Sequence, residues 1–155
     1  MQVMLRYILF PFLLLLYQYG FSQADYFERY KPLADSLDQA LGIPAAVILA
    51  VAYHESGGGT SRHARLLNNH FGIKGKNNLR QTHGIRSQYK YYQDAEESYR
   101  GFCRVILSKK YYAALQGSND HKKWVHAIAN AGYAANPANW TQHVLQVIRR
   151  YGLVK

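Results

Sequence analysis

The stretch Gly42-Ile43-Pro44-Ala45-Ala46-Val47-Ile48-Leu49-Ala50-Val51-Ala52-Tyr53-His54-Glu55-Ser56-Gly57-Gly58-Gly59 decides the fold of this chain. Residues 45–53 have no polar face, which predicts a helix that runs through the interior of a domain. Pro44 suits the first turn of such a helix, and the three glycines prevent the helix from continuing. The sequence thus predicts a buried central helix that ends directly after a glutamate.

Glu55 occupies an unfavourable position for a charged carboxylate. The C-terminus of a helix carries partial negative charge, and partial burial disfavours the ionised form. Both effects raise the pKa of the carboxyl, as a general acid working near neutral pH requires. The alternative is a glutamate at a helix end that points into water.

The distribution of acids also favours Glu55 as the site of chemistry. No Asp or Glu lies between Glu55 and Asp94. Asp94 and Glu97 have the spacing of a helix-capping pair, which gives them a structural role. Any acid–base catalyst in this chain is therefore expected to be Glu55.

Residues 1–24 are predicted to be a signal peptide. Arg6 supplies the positive region, residues 8–17 are almost wholly apolar, and Ser22 and Ala24 suit the cleavage site. A retained N-terminal anchor is the alternative. We expect residues 25–155 to form one exported domain, periplasmic or extracellular, that is monomeric and not inserted in a membrane.

The net charge of +10 predicts attraction to an anionic polymer, and the bacterial cell wall is the polymer that an exported protein meets. Nucleic acid would also suit the charge, but the Lys and Arg residues form no basic run and no recognition helix. Cys103 is the only cysteine, so no internal disulfide forms. Its apolar neighbours predict a buried small side chain rather than a reactive thiol.

Other kinds of chemistry find little support. His54-Glu55 lacks the second histidine of the zinc-protease pattern, and the remaining histidines show no ligand spacing, so we expect no metal site. Gly57-Gly58-Gly59 follows a helix instead of preceding one and is no phosphate loop. No cofactor is expected.

The rest of the chain indicates a mainly α fold with a small β-hairpin lobe. Residues 25–41 have the spacing of an amphipathic helix, and Asn136-Pro137 has the form of a helix start. Residues 71–92 contain several glycines and an alternating segment at 85–91, which predicts the hairpin. Tyr133 lies in a turn between two helices, where its ring is displayed; aromatic rings suit the apolar faces of sugars.

Several motifs in order resemble the flagellar-type endo-β-N-acetylglucosaminidase family of peptidoglycan hydrolases, which is glycoside hydrolase family 73-like. They span residues 25–153, nearly the whole predicted mature chain. The motifs are Ile43-Pro44, Glu55-Ser56-Gly57, Asn68-Asn69-His70-Phe71-Gly72-Ile73-Lys74-Gly75, Tyr89-Lys90-Tyr91-Tyr92, Glu97-Ser98, Gly132-Tyr133-Ala134, Asn136-Pro137 and Tyr151-Gly152-Leu153.

The resemblance implies a lysozyme-like α+β fold and cleavage of the β-1,4 bond between N-acetylglucosamine and N-acetylmuramic acid in peptidoglycan glycan strands. It implies that Glu55 is the catalytic acid and Tyr133 the catalytic tyrosine of the cleft. Residues in the matching motifs are expected to bind substrate: Ser56, Asn69, Phe71, Tyr89 and Asn136.

Two departures from the family pattern bear on the mechanism. Asn136 replaces an aspartate, an equivalent N-cap. Thr82-His83-Gly84 stands where many members carry a second acid, so a two-carboxylate mechanism lacks its partner. The substrate's N-acetyl group could act as nucleophile, or Tyr133 and Asn69 could hold a water; alternatively the domain binds peptidoglycan with weak or no activity. A lytic transglycosylase is a further alternative, although Phe71-Gly72-Ile73-Lys74 replaces its usual Gly-Leu-Met-Gln-like segment.

Overall fold

The computed structural model describes residues 23–154, so the predicted signal peptide lies outside the described residues except for its last two positions. The described residues are mostly helical. The helices are α1 (Gln23–Leu41), α2 (Ala45–Ser56), α3 (Arg62–Leu67), α4 (Leu79–His83), α5 (Ala95–Leu107), α6 (Tyr112–Leu115), α7 (His121–Ile128) and α8 (Pro137–Arg150). A π-helical turn, Ala129–Tyr133, joins α7 to α8 through a short connection.

The central helix α2 is buried as its sequence predicts. Residues 46–52 are all at most 6% exposed. Helices α1 and α8 pack against α2, and α5 and α7 complete the core around it. A helix that is apolar on every side is stable only when other elements surround it, which explains this arrangement.

Both ends of α2 are closed by local interactions. At its start, the Asp38 carboxylate accepts a hydrogen bond from the Ala45 N–H at 3.0 Å, which places negative charge at the positive end of the helix dipole. At its end, Gly57 adopts a left-handed conformation with φ 58°, and its N–H bonds to the Tyr53 carbonyl. The chain therefore leaves α2 immediately after Glu55 and Ser56.

The predicted β-hairpin lobe is not present among residues 23–154. The segments 73–76 and 88–91 approach each other, but they form a single antiparallel bridge, between Lys74 and Tyr89. Backbone bonds from the Gly75 N–H to the Gln88 carbonyl and from the Lys90 N–H to the Ile73 carbonyl flank this bridge, and no longer ladder forms within the described residues. Between the two segments lies α4, and the Asn77 amide donates to the Ser87 and Tyr89 carbonyls.

The predicted helix starts at Asp94 and Asn136 are confirmed. The Asp94 carboxylate accepts from the Glu97 N–H at 2.7 Å, and the Asn136 amide oxygen accepts from the Asn139 N–H at 3.1 Å. None of the helices within residues 23–154 has the length and apolar character needed to cross a membrane.

Candidate active site

Glu55 lies in the last turn of α2 with its side chain half-buried. Its Oε1 accepts a hydrogen bond of 2.7 Å from the indole Nε1–H of Trp140 on α8. Burial raises the pKa of the Glu55 carboxyl above its ordinary value, and the Trp140 hydrogen bond, which favours the charged form, opposes that rise. Because burial is the larger effect, Glu55 holds its proton to a higher pH than an exposed glutamate does.

The Trp140 bond determines which oxygen of Glu55 can carry a proton. An indole N–H only donates, so Oε1 is an acceptor and the acidic proton resides on Oε2. Gly72 lies beside that oxygen: a Cβ at position 72 would be 3.2 Å from Glu55 Oε2. Gly72 also has φ 65°, a conformation that favours glycine. The glycine therefore keeps the space next to the acidic proton open.

Glu55 and Tyr133 line two cavities, of ≈ 340 Å³ and ≈ 330 Å³. The first is lined by Glu55, Phe71, Gly72, Ile73, Lys74, Val105, Lys109, Tyr111, Ile128, Ala131, Gly132 and Tyr133. The second is lined by His54, Glu55, Tyr133, Ala134, Ala135, Asn136, Asn139, Trp140 and His143. Among these described residues Glu55 is the only carboxylate. We call these two cavities together the groove. Their shared position at Glu55 suits a chain-like substrate that extends past this carboxyl group in two directions.

The basic side chains of the site differ between the two cavities. Lys74 and Lys109 line the first. His54 and His143 line the second, with ring centroids 5.6 Å apart. Burial, and then the charge of His143, lower the pKa of His54. Residues 23–154 contain no group of three His, Cys, Asp or Glu side chains that could hold a metal ion.

Tyr133 lies in the π-helical turn before α8. Its hydroxyl donates a hydrogen bond of 2.6 Å to the Phe71 carbonyl, and its ring packs against Trp140 at a centroid distance of 5.5 Å. Burial, and next the nearby charge of Glu55, raise the pKa of the Tyr133 hydroxyl well above its ordinary value. The hydroxyl therefore keeps its proton, and its free lone pair can accept a hydrogen bond in the groove.

Ser56 and Asn69, both predicted to bind substrate, lie in the interior with no exposed surface. The Ser56 hydroxyl donates to the Ala52 carbonyl and accepts from the Gly59 N–H, so it shapes the turn after α2. The Asn69 amide nitrogen donates to the Ile73 and Lys90 carbonyls, and its oxygen accepts from the Phe71 and Ile73 N–H groups. In the structure these two side chains bond within the chain and shape the loops beside Glu55, and their contact with substrate stays a prediction.

The other three predicted substrate-binding residues each line a cavity. Phe71 lines the first cavity but is only 1% exposed, since its ring stacks on Phe102 at 4.3 Å. Asn136 is exposed and lines the second cavity while it caps α8. Tyr89 lines a neighbouring cavity of ≈ 350 Å³, with its ring 4.7 Å from that of His63. Its Cε1 would also lie 3.9 Å from a Cβ at Gly72, so the Tyr89 ring borders the space beside Glu55.

The contact between Trp140 and Glu55 was not predicted from local sequence patterns, because the two residues are 85 positions apart. One signal was present: a buried tryptophan needs a partner for its indole N–H, and Glu55 was the acid without a structural role. Gly72 was recognised only as part of a motif. The chemical reason for a glycine there becomes visible only when its distance to Glu55 Oε2 is known.

The Glucosaminidase family model, described as mannosyl-glycoprotein endo-β-N-acetylglucosaminidase, matches residues 31–153. Among curated proteins, the chain is 30% identical over 147 residues to "Peptidoglycan hydrolase FlgJ" of Vibrio parahaemolyticus serotype O3:K6, covering 81% of this chain and 46% of that protein. It is 26% identical over 144 residues to the protein of the same name from Vibrio cholerae, covering 81% of this chain and 43% of that one. The chain thus spans less than half the length of these relatives.

Solved structures with the same fold include the C-terminally truncated glycoside hydrolase domain of Salmonella typhimurium FlgJ. That domain has a TM-score of 0.68 and 21% identity, with 86% of this chain and 100% of that chain covered. The peptidoglycan hydrolase of Sphingomonas sp. A1 has a TM-score of 0.67 and 25% identity, with 85% and 90% covered. With the family match extending over most of its residues, the chain belongs to the Glucosaminidase family of glycoside hydrolases.

Proposed function

We propose that this protein hydrolyses the β-1,4 bond between N-acetylglucosamine and N-acetylmuramic acid in peptidoglycan, with Glu55 as the general acid. The observation that carries the proposal is the state of Glu55: among residues 23–154 it is the only carboxylate lining the two cavities, and its free oxygen faces the gap left by Gly72. Two relatives named as peptidoglycan hydrolases support the substrate class.

In the first step, the bond between C1 of N-acetylglucosamine and the bridging oxygen breaks. The electron pair goes to that oxygen, which takes the proton from Glu55 Oε2. The carboxylate that remains is stabilised by the Trp140 N–H on Oε1. Burial disfavours this charge, which makes Glu55 ready to take a proton back in the next step.

Among residues 23–154 no second carboxylate lines the groove that could serve as nucleophile or base. We therefore propose that the substrate's own 2-acetamido group acts as nucleophile. Its carbonyl oxygen forms a bond to C1 as the leaving oxygen departs, a substrate-assisted route known among glycosidases. A water then attacks C1, the bond to the acetamido oxygen breaks, and the water's proton returns to Glu55. Tyr133 can accept a hydrogen bond from the acetamido N–H or from this water through its free lone pair.

Product analysis tests the reaction. Purified peptidoglycan is digested with the protein and with Glu55→Gln, reduced with borohydride and measured by mass spectrometry. We expect reduced N-acetylglucosamine ends with the parent protein and none with the variant. If Glu55→Gln releases as much product as the parent, Glu55 is not the acid.

A lytic transglycosylase is the second candidate, and the single carboxylate favours it, because that reaction needs one acid and no attacking water. The same digest distinguishes it by 1,6-anhydro ends. A digest without products would leave a peptidoglycan-binding domain of low activity, which the groove and the net charge of +10 would still suit.

We further propose that the protein acts at the cell wall after export, as a single monomeric domain formed by residues 25–155. Wall polymers are anionic, and the Lys74 and Lys109 side chains line one of the two cavities at Glu55. The remaining positive charge of the chain favours retention on such a surface.

A further inference from the structure

A third cavity, of ≈ 510 Å³, lies apart from Glu55, and we call it the back pocket. It is lined by Tyr26, Arg29, Tyr30, Gly59, Thr60, Ala64, Arg65, Asn68, His70, Gln93, Asp94 and Ala95. None of these residues lines the two cavities at Glu55. The mechanism proposed above uses none of them, so the back pocket requires its own explanation.

A chain of hydrogen bonds fixes the proton of His70 at the back pocket. The Tyr99 hydroxyl donates to the Tyr26 hydroxyl at 3.1 Å, so Tyr26 has its own hydrogen left for His70 Nδ1, at 2.9 Å. Burial holds the imidazole neutral by lowering the pKa of His70 to about 4. With Nδ1 accepting, the ring hydrogen resides on Nε2.

The Nε2–H of His70 has no partner among residues 23–154, although the residue is only 5% exposed and lines the back pocket. Within residues 23–154 every buried side-chain nitrogen and oxygen has a hydrogen-bond partner, so the unpartnered Nε2–H is the part of His70 that reaches the surface of the back pocket. The hydrogen bonds from Tyr99 to Tyr26 and from Tyr26 to His70 orient the ring, and the Nε2–H is available to a ligand with an acceptor atom.

Further donors and acceptors surround this group. Arg65 is exposed at the back pocket and forms no ion pair within the described residues, so its guanidinium can bind a carboxylate. The Asn68 amide nitrogen donates to the Tyr92 and Gln93 carbonyls, which leaves its oxygen as an acceptor. Asp94 uses one oxygen to cap α5 and contributes a negative charge. The pocket therefore offers cationic donors and anionic acceptors together.

We propose that the back pocket binds a zwitterionic α-amino acid group, with its carboxylate on His70 Nε2–H and Arg65 and its ammonium on Asp94 and the Asn68 oxygen. A simple anion would leave the Asp94 charge unmatched, and a simple cation would leave Arg65 and His70 unmatched. The Tyr26 and Tyr30 rings supply an apolar wall for the substituent on the α-carbon. A volume of ≈ 510 Å³ accommodates more than a free small amino acid, so the group can also be the end of a peptide side chain.

Titration followed by NMR tests the proposal through the backbone amides of Gly59, Thr60, Arg65 and Ala95. Three probes differ by one charge each: alanine, alaninamide without the carboxylate, and N-acetylalanine without the ammonium. We expect saturable shifts with alanine and about tenfold weaker binding of the other two, because each loses a charged hydrogen bond. Absence of saturable shifts with alanine, or equal affinity for all three probes, overturns the proposal.

Two variants locate the charges. Arg65→Gln is expected to weaken alanine about tenfold and to remove its advantage over alaninamide. Asp94→Asn keeps the α5 cap, because Asn and Asp are equivalent N-caps, and is expected to remove the advantage over N-acetylalanine. The matched control is Arg62→Gln, an exposed arginine on α3 that lies outside the back pocket, and its binding should equal the parent's. A control that loses affinity as Arg65→Gln does would indicate general charge attraction and contradict the assignment.

A fourth probe, Nε-acetyl-lysine, distinguishes two sources of the group. Tighter binding than alanine indicates the end of an acylated peptide side chain, and equal or weaker binding indicates a free small amino acid. All these measurements follow binding and not glycan cleavage. They therefore remain valid whether or not the protein hydrolyses peptidoglycan.

Discussion

Glu55 and His70 are buried ionisable side chains that each face a cavity through one atom. Trp140 binds Oε1 of Glu55 and leaves Oε2 toward the groove, whereas Tyr26 binds Nδ1 of His70 and leaves Nε2 toward the back pocket. In both cases burial favours the neutral form, raising the pKa of the acid and lowering that of the base. One fixed hydrogen bond then determines where the proton lies.

The two groups differ in what they can do with that proton. The Glu55 proton is acidic enough to be transferred, and the charge left behind is stabilised by Trp140. The Nε2 proton of neutral His70 is not released at ordinary pH, so it can only bind a ligand. Burial alone therefore does not make a catalytic group; the hydrogen-bond partner must also stabilise the state that follows proton transfer.

The largest effect is expected from Glu55→Gln. Cleavage of peptidoglycan should fall about 100- to 10,000-fold, the range that general acid catalysis contributes. At neutral pH the variant should unfold at a higher temperature, because it removes a carboxylate whose ionisation burial opposes while its amide oxygen still accepts from Trp140. Turbidity clearing and thermal unfolding monitored by circular dichroism measure the two quantities. A variant that loses activity together with stability would contradict the assignment of Glu55 to chemistry.

The next effect concerns the pH dependence of stability at His70. Its pKa is lowered from 6.5 to about 4 in the folded protein, so the unfolded chain binds more protons between these values. The free energy of unfolding should therefore fall as pH decreases from 6.5 toward 4, by about 3 kcal/mol from this group. Glu55 has the opposite effect on the free energy of unfolding. Because its pKa is raised above 4.5, the folded state binds more protons than the unfolded state just above that pH, and this group stabilises the fold as pH decreases.

Urea unfolding at a series of pH values measures this slope. His70→Gln should flatten the slope without abolishing it, because the pKa values of His54 and His63 are also lowered by burial. The control is His126→Gln, an exposed histidine on α7, which should leave the slope unchanged. An equal slope in His70→Gln and the parent would show that His70 is not the buried neutral group described above.

A third prediction distinguishes two effects of a side chain at Gly72: its steric contact with Glu55 and its strain in the left-handed backbone conformation. Gly72→Ala should reduce cleavage about 100-fold, because the new Cβ would lie 3.2 Å from Glu55 Oε2 and displace the scissile oxygen. Gly84→Ala is a matched control, since Gly84 has φ 67° and no atom within 4 Å of its Cβ position. Both variants should lose about 1–2 kcal/mol of stability from the left-handed conformation. Only Gly72→Ala should lose activity beyond that cost.

The parts of the structure that the sequence predicted correctly depend on short-range physics. The burial of α2 follows from its uniform apolar composition, and the starts at Asp94 and Asn136 follow from side chains that cap a helix three residues on. The position of Glu55 at the exit of α2 follows from the glycines that end the helix. These patterns extend over a few turns and need no knowledge of distant residues.

The parts that the sequence did not predict depend on distant contacts. The alternation at residues 85–91 indicated a hairpin, but residues 73–76 and 88–91 are joined around a single bridge, and α4 lies between them. The hydrogen bonds of the Asn69 amide to Phe71, Ile73 and Lys90 were also not predicted, because the loop has to bring these residues together; its binding of substrate stays a prediction. The hydrogen bond between Trp140 and Glu55 was not predicted either, since it requires α2 and α8 to be packed together.

The smallest expected effect tests that unpredicted contact. Trp140→Phe removes the Nε1–H while it keeps an aromatic ring against Tyr133. Without this donor the charged form of Glu55 loses its hydrogen bond, so the pKa of Glu55 should rise. The rate of cleavage falls at high pH when Glu55 loses its proton, and this fall should move to higher pH in the variant. The proton transfer from Glu55 to the leaving oxygen should slow, because the carboxylate that it forms is less stable.

Tyr133→Phe is the comparison. Glu55 keeps its Trp140 bond in this variant, so the pH–rate profile should keep its position while the rate falls. A profile that moves equally in both variants would mean that groove packing, and not the indole N–H, sets the acidity of Glu55.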